Sequence, residues 1–274
     1  MLSLIKIEWL KIKKYKAFWW MLVVVILTYP GINAIFVNVY KEIAGNKDML
    51  GQLAKMLLGN PYAFPEAWHT VAFFSSLFIA IPSILVIMLI TNEYNYKTHR
   101  QNIIDGWSRN QFVTSKLIDV SIVSLITTAA YILVAIGYAL YIDANSMSRA
   151  YEQLKYIPLF LLQSFSQLSI AFLLGFFIRK AFIALGIFLF YYLVVENILV
   201  SLDLWKKIGY SDFLPFQVSD KLIPPPAFFG RFGKDAADAY QKAIDAIPYH
   251  IVYTLILTAT IWFICYRANN KRDL

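Results

Sequence analysis

Six apolar runs recur along this chain of 274 residues, at 17–39, 70–91, 117–142, 157–178, 181–202 and 249–266. Each comes close to the roughly 20 residues a helix needs to cross the hydrocarbon of a bilayer. No soluble core accommodates six such segments: the chain is 59% hydrophobic and only 15% charged, against about 45–50% and about 25% in ordinary soluble domains. In lipid the backbone has no water to bond to, so each crossing must satisfy its own amide and carbonyl groups as a helix. The composition therefore predicts an all-α integral membrane protein, one transmembrane domain over 1–274 with six crossings.

The connections refine this. Leu2, Ile5, Trp9 and Ile12 recur at steps of three and four, which gathers them on one helical face away from Lys6, Lys13 and Lys14. That pattern predicts an amphipathic interfacial helix over 1–16, with a plain basic flank of the first span as the alternative. Run 17–39 is long for a signal sequence and no small-residue cleavage site follows it. Trp19 and Trp20 suit an interface, and Pro30-Gly31 predicts a kink. Asn60-Pro61 and Phe64-Pro65 break a polar connection over 40–69, and Pro82 interrupts the second span. Only Arg179-Lys180 separates the fourth and fifth spans, so these form a tight antiparallel hairpin. The longest loop, 203–248, carries Ile223-Pro224-Pro225-Pro226 and a helix-prone segment from Lys234 to Ile247.

Charge orients the chain. With six spans both termini share a side with loop 92–116 and the Arg179-Lys180 turn. That side carries fourteen of the twenty-five Lys and Arg residues in short, dense segments, while the other eleven are spread over longer loops among eleven acids. Short basic segments stay inside, which predicts cytoplasmic termini in a multi-pass membrane protein. The same bias accounts for the net charge of +8, and no basic stripe with interleaved aromatics suggests nucleic acid.

No catalytic residues are nominated, because G-x-x-x-x-G-K-[ST], H-E-x-x-H and G-x-S-x-G are all absent. Cys265 is the sole cysteine, and His69, His99 and His250 have no paired spacing, so no metal site is expected. Inside the spans, Gln163, Ser166 and Gln167 share one face, either as interhelical contacts or as part of a translocation path. Glu196 lies deep in the fifth span, where facing lipid costs at least about 2.5 kcal/mol, so it must meet a partner or a water-filled path. Asp119, at the start of the third span, reads as interfacial.

Loop 92–116 is too polar for lipid and is the place where a membrane protein meets something soluble. Asp105 and Arg109 are four apart and would share a face on a short helix, and Gly106 offers close backbone approach. Ile103, Ile104 and Trp107 add an apolar surface suited to a partner's groove or to the inner leaflet. The order Glu93, Thr98, Arg100, Gly106, Ser108-Arg109 and Lys116 resembles the coupling loop of permease subunits of type-2 ATP-binding-cassette exporters. The resemblance implies a coupling helix over Thr98 to Arg109 bracketed by Glu93 and Arg109, with Ile104, Asp105, Gly106, Trp107 and Ser108 among the docking residues. It implies short re-entrant helices in the outer segment, a separate ATPase subunit that holds ATP and magnesium, and pairing with an identical or second permease. Exported substrates in such systems include peptide antibiotics and other small amphiphiles. An ion-gradient-driven transporter and a non-transporting membrane scaffold are the alternatives.

Overall fold

The computed structural model describes residues 2–45, 59–206, 208–226 and 236–271. Lys234, the expected start of the last loop helix, and Arg272 of the basic C-terminal flank lie outside these residues. Among the described residues every regular element is helical. Five helices are long and apolar enough to cross a membrane, and one bent pair, counted as a single span, makes six.

Helix α1 (Leu2–Lys14) leads through Tyr15 into α2 (Lys16–Gly45). Pro30 lies inside α2 without ending it, and its carbonyl accepts the Tyr138 hydroxyl at 2.7 Å. The second crossing is the bent pair, α3 (Glu66–Ser76) and α4 (Ala80–Asn95), at 51°. Pro82 does not interrupt α4; it sits in its first turn, where a missing amide proton costs little. The break falls just before it, at Leu77–Ile79, where three-residue bonds such as Ile81 N to Phe78 O (3.0 Å) tighten the chain.

A short helix, α5 (Thr98–Ile104), precedes α6 (Arg109–Ile142), which starts well before the apolar run it contains. Helix α7 (Tyr156–Ile178) and α8 (Ala181–Phe190) form the expected hairpin, with Arg179 in the left-handed conformation at the turn. A π-helical turn at Tyr191–Val195 joins α8 to α9 (Glu196–Lys206). Helix α10 (Pro215–Asp220) follows, and α11 (Ala236–Lys271) carries the last crossing, continuous through Pro248.

Helix α7 is the hub. Its buried face includes Phe160, Gln163, Ser166, Gln167, Leu168, Ala171 and Phe172, and it packs against α4, α6 and α11. Helices α4 and α7 approach closely at Gly175, where an added Cβ would lie 2.5 Å from Ile90 Cγ2 and 3.4 Å from Ile87 Cα. In a membrane helices gain little from hydrophobic burial, so such close van der Waals approach carries much of the association. Helix α8 faces outward instead, with Phe182, Ile183, Ile187 and Phe190 exposed.

Gly175→Ala should destabilise the bundle by about 1–3 kcal/mol despite alanine's better helix propensity. Ile90→Leu, which lacks the branch methyl at the contact, should recover more than half of that loss in thermal unfolding of the detergent-purified protein. No recovery would mean that Gly175 is required for another reason.

Candidate functional site

At the end of the bundle that carries both termini, α5 is bounded by two left-handed residues. Lys97, at φ 57°, turns the chain out of α4, and Gly106, at φ 98°, ends α5. The Gly106 amide bonds Ile103 O (3.1 Å) and the Trp107 amide bonds Asn102 O (3.0 Å), the paired contacts of a glycine-terminated helix. Immediately afterwards Ser108 and Gln111 form a reciprocal capping box, each side chain bonding the other's amide at 3.2 and 2.7 Å, which starts α6. Two opposed caps within a few residues make this corner stiff.

The corner alters two sequence expectations. Asp105 and Arg109 do not share a helical face, because α5 has ended at Ile104 and Arg109 opens α6. Arg109 also points elsewhere: its guanidinium donates to Asn270 O (2.9 Å), and Asn269 donates back to Arg109 O (2.8 Å), tying α6 to the end of α11. Gly106 is needed for its left-handed backbone, since nothing lies within 4 Å of where a Cβ would stand. Outward from the corner, Ile104 is 84% exposed, and Arg100, Asp105 and Ser108 are exposed too. Trp107 is half-buried beneath the Lys11 ammonium, 5.3 Å from its ring.

Behind α5 lies a cluster of five charges. The Lys116 ammonium, 3% exposed, donates to Glu93 Oε1 (2.7 Å), Asp119 Oδ2 (2.8 Å) and Glu8 Oε2 (2.9 Å). Lys11 bridges Glu8 (2.9 Å) and Glu93 (3.3 Å) from the more exposed side. Three elements thereby meet: α1 through Glu8 and Lys11, the end of α4 through Glu93, and α6 through Lys116 and Asp119. Asp119 is buried within the bundle. Burial raises the Glu8 carboxyl, but Lys116 and Lys11 outweigh it and hold the group below its ordinary value of 4.5. Its stabilising contribution is therefore complete above about pH 4.5 and is lost as pH falls through the lower folded value.

Shorter contacts finish the junction. Thr98 Oγ1 and the His99 ring both reach Glu93 O (3.3 and 3.2 Å), Asn92 donates to the Tyr15 hydroxyl (2.7 Å), and Arg179 stacks over Tyr94 at 4.9 Å. Burial lowers the His99 pKa and favours the neutral ring.

At the opposite end, Gln163, Gln167 and Glu196 are brought together by α10. Both glutamines donate to Asp220 Oδ1 (2.9 and 2.7 Å), while Glu196, 2% exposed, accepts the Phe216 amide (3.0 Å) and the Gln217 amide (2.7 Å). The π-helical turn inserts an extra residue just before Glu196, leaving Leu193, Val194 and Ile198 outside and Glu196 within. His69 stacks on Tyr156, 4.2 Å between centroids, and reaches Pro224 O at 2.7 Å. Phe216, Leu222 and Ile223 are buried, so 215–224 closes this end of the bundle.

The sequence pattern of the ABC-2 family transporter proteins matches residues 4–195, which includes all but the first two residues of α1, the whole charge cluster, the α5 corner and the α7–α8 hairpin. The chain belongs to this family. It is an ABC transporter permease, a multi-pass membrane component rather than a catalytic one. In the comparisons with curated proteins and with solved structures, nothing matches.

Sequence reasoning on this permease found the α5 loop but missed Glu8, Lys11 and Asp119 as its support. One signal was present: Glu8 is the only acid before Glu42, and it falls in the row Leu4–Glu8–Ile12, spaced by four. That row is the face of α1 turned to the protein, whereas Ile5 and Trp9 of the expected apolar face are exposed.

Lys116→Met would leave three carboxylates around a missing cation. A loss of about 3–5 kcal/mol is expected in thermal unfolding at neutral pH, as for other broken buried pairs. Glu8→Gln/Lys116→Met should be less destabilised than Lys116→Met alone. A loss below about 1 kcal/mol would show that water reaches the cluster.

Proposed function

We propose that this permease is the membrane subunit of an ATP-driven exporter in which α5 is the coupling helix for a separate ATPase. The observation that carries the reading is the contrast across α5. Its outer side presents Ile104 at 84% exposure beside Arg100 and Asp105, while Thr98 and His99 bond the Glu93 carbonyl, and the Glu93 carboxylate is joined through Lys116 to α6 and α1. An exposed apolar side chain on a stiff, seven-residue helix suits burial in a partner's groove. The clamp suits the transmission of a push, because α5 cannot yield without moving the long helices behind it.

In this reading the basic end and both termini are cytoplasmic, in a bacterial inner membrane. Two permease chains pair, either two copies or this chain with a second kind. ATP and magnesium bind the partner ATPase, whose closure shifts α5 and tilts α4 and α6 between inward- and outward-open states. The closed end held by Glu196, Gln163 and Gln167 serves as the outer gate of the translocation path. Substrates are small amphiphiles, peptide antibiotics among them.

An ion-gradient mechanism calls for a broken helix carrying ion-binding groups at mid-membrane. The α3–α4 break is the only described bent pair of this kind, and no Asp, Glu, Lys or Arg lies from Ala67 to Asn92. The Ser76 and Ser83 hydroxyls beside it bond carbonyls of their own segment, Phe73 O (2.7 Å) and Ile79 O (2.9 Å). That pattern favours a structural bend.

Ile104→Asp alters a side chain with little burial, so expression and thermal stability should stay at the wild-type level. Binding of the ATPase that co-purifies with the wild-type chain should weaken at least about tenfold, which is about 1.4 kcal/mol, and transport should fall with it. Wild-type ATPase binding and transport by Ile104→Asp would remove α5 from the coupling role.

A further inference from the structure

Beside the closed end of the bundle lies a cavity of about 620 Å³, walled by α3, the π-helical turn, 212–225 and α11. Sites for drug-sized ligands run to about 300–1,000 Å³ and are mostly apolar with a few placed polar groups. This one is lined by Phe73, Leu77, Tyr192, Ile223 and Pro224, and Asp220 provides a carboxylate.

The charge balance around Asp220 is one-sided. Its Oδ1 accepts two neutral amides, from Gln163 and Gln167, which leaves Oδ2 without a partner among the described residues. The adjacent cation, Lys221, is paired with Asp212 instead. Lys242 lies on the exposed face of α11, where solvent screens it. Glu196 stands near enough for its carboxylate to repel that of Asp220, and its own partners are uncharged backbone amides. His250, 4% exposed, lines the same cavity with Nδ1 unbonded. A part-buried carboxylate that, among the described residues, accepts only from neutral amides and is paired with no cation suits an incoming one.

We propose that this cavity binds an amphiphilic ammonium compound, with its nitrogen at Asp220 and its apolar body against Phe73, Leu77 and Tyr192. The two aromatic rings add cation–π attraction for the charged head. The residues named all belong to one chain. It deepens the export reading by giving the class of compound held at the outer gate, and its test needs no ATPase. A failure there is therefore distinct from a failure of coupling.

The test is calorimetric titration of the permease, reconstituted in phosphatidylcholine nanodiscs, with 4-phenylbutylammonium and with the neutral 4-phenylbutan-1-ol, each corrected by empty nanodiscs. Saturable binding of the ammonium at one site per chain is expected, with the alcohol at least about tenfold weaker, as a charge-assisted bond implies. Asp220→Asn should lose at least about tenfold in ammonium affinity and little for the alcohol. Ala246→Phe, which fills the cavity and leaves the Asp220 bonds alone, should abolish both and keeps the test decisive if Asp220→Asn fails to fold. Equal binding of ammonium and alcohol, or undiminished ammonium binding by either variant, would overturn the proposal.

Discussion

The Lys116 ammonium, buried among carboxylates from α1, α4 and α6, is the interaction on which the basic end of this permease depends. Taking one cation and its counter-charges out of water is costly, and the attraction among them offsets that cost only when the geometry is good. Here the three contacts to Lys116 are between 2.7 and 2.9 Å, and Lys11 closes the group from the solvent side. The arrangement is better understood as a device for position than for stability. It fixes which face of α1 meets the bundle and holds the end of α4 against the start of α6, with α5 strung between them.

The two ends of the molecule solve the same problem with different chemistry. Ionic contacts join elements at the basic end, where water and lipid headgroups are near. At the opposite end, beside the Lys221–Asp212 pair, three carboxylates are held among the described residues by neutral donors: amide side chains to Asp220, backbone amides to Glu196, and three backbone amides from Gly209, Tyr210 and Ser211 to Asp203. Carboxylates held only by dipoles tolerate exchange of partners more readily than a cation locked among three acids. That difference suits the coupling role proposed for the basic end and the gate proposed for the other. Between them, α7 carries the packing, and the close approach at Gly175 sets the spacing of α4 and α7.

The membrane fold was legible because lipid leaves few choices: an apolar run of sufficient length must be a helix. The break in the second span was legible in kind but misplaced, since proline is tolerated in a first turn and the strain appears ahead of it. Loop 92–116 stood out by its polarity, yet its shape did not. The left-handed Gly106 and the Ser108–Gln111 box reverse the chain where a uniform helical spacing would have continued it, and this separated Asp105 from Arg109. Periodicity also ranked the apolar side of α1 as its important one. The buried partner was instead a glutamate, whose role depends on Lys116, more than a hundred residues away. Glu196 was legible as needing a partner, but the amides it caps open α10, a six-residue helix too short to show a periodic pattern.

The central claim is that α1 and α5 move as one body because the Lys116 cluster joins them. Spin labels at Lys13 and Arg100, both exposed, report it directly by pulsed electron–electron resonance in the assembled transporter. With the labelled chain diluted into unlabelled permease so that one label pair is read per transporter, one narrow distance distribution is expected, unchanged between nucleotide-free and ATP-bound states, and broadened by Lys116→Met. A wild-type distance that changes with nucleotide, or one that stays narrow without Lys116, would contradict it.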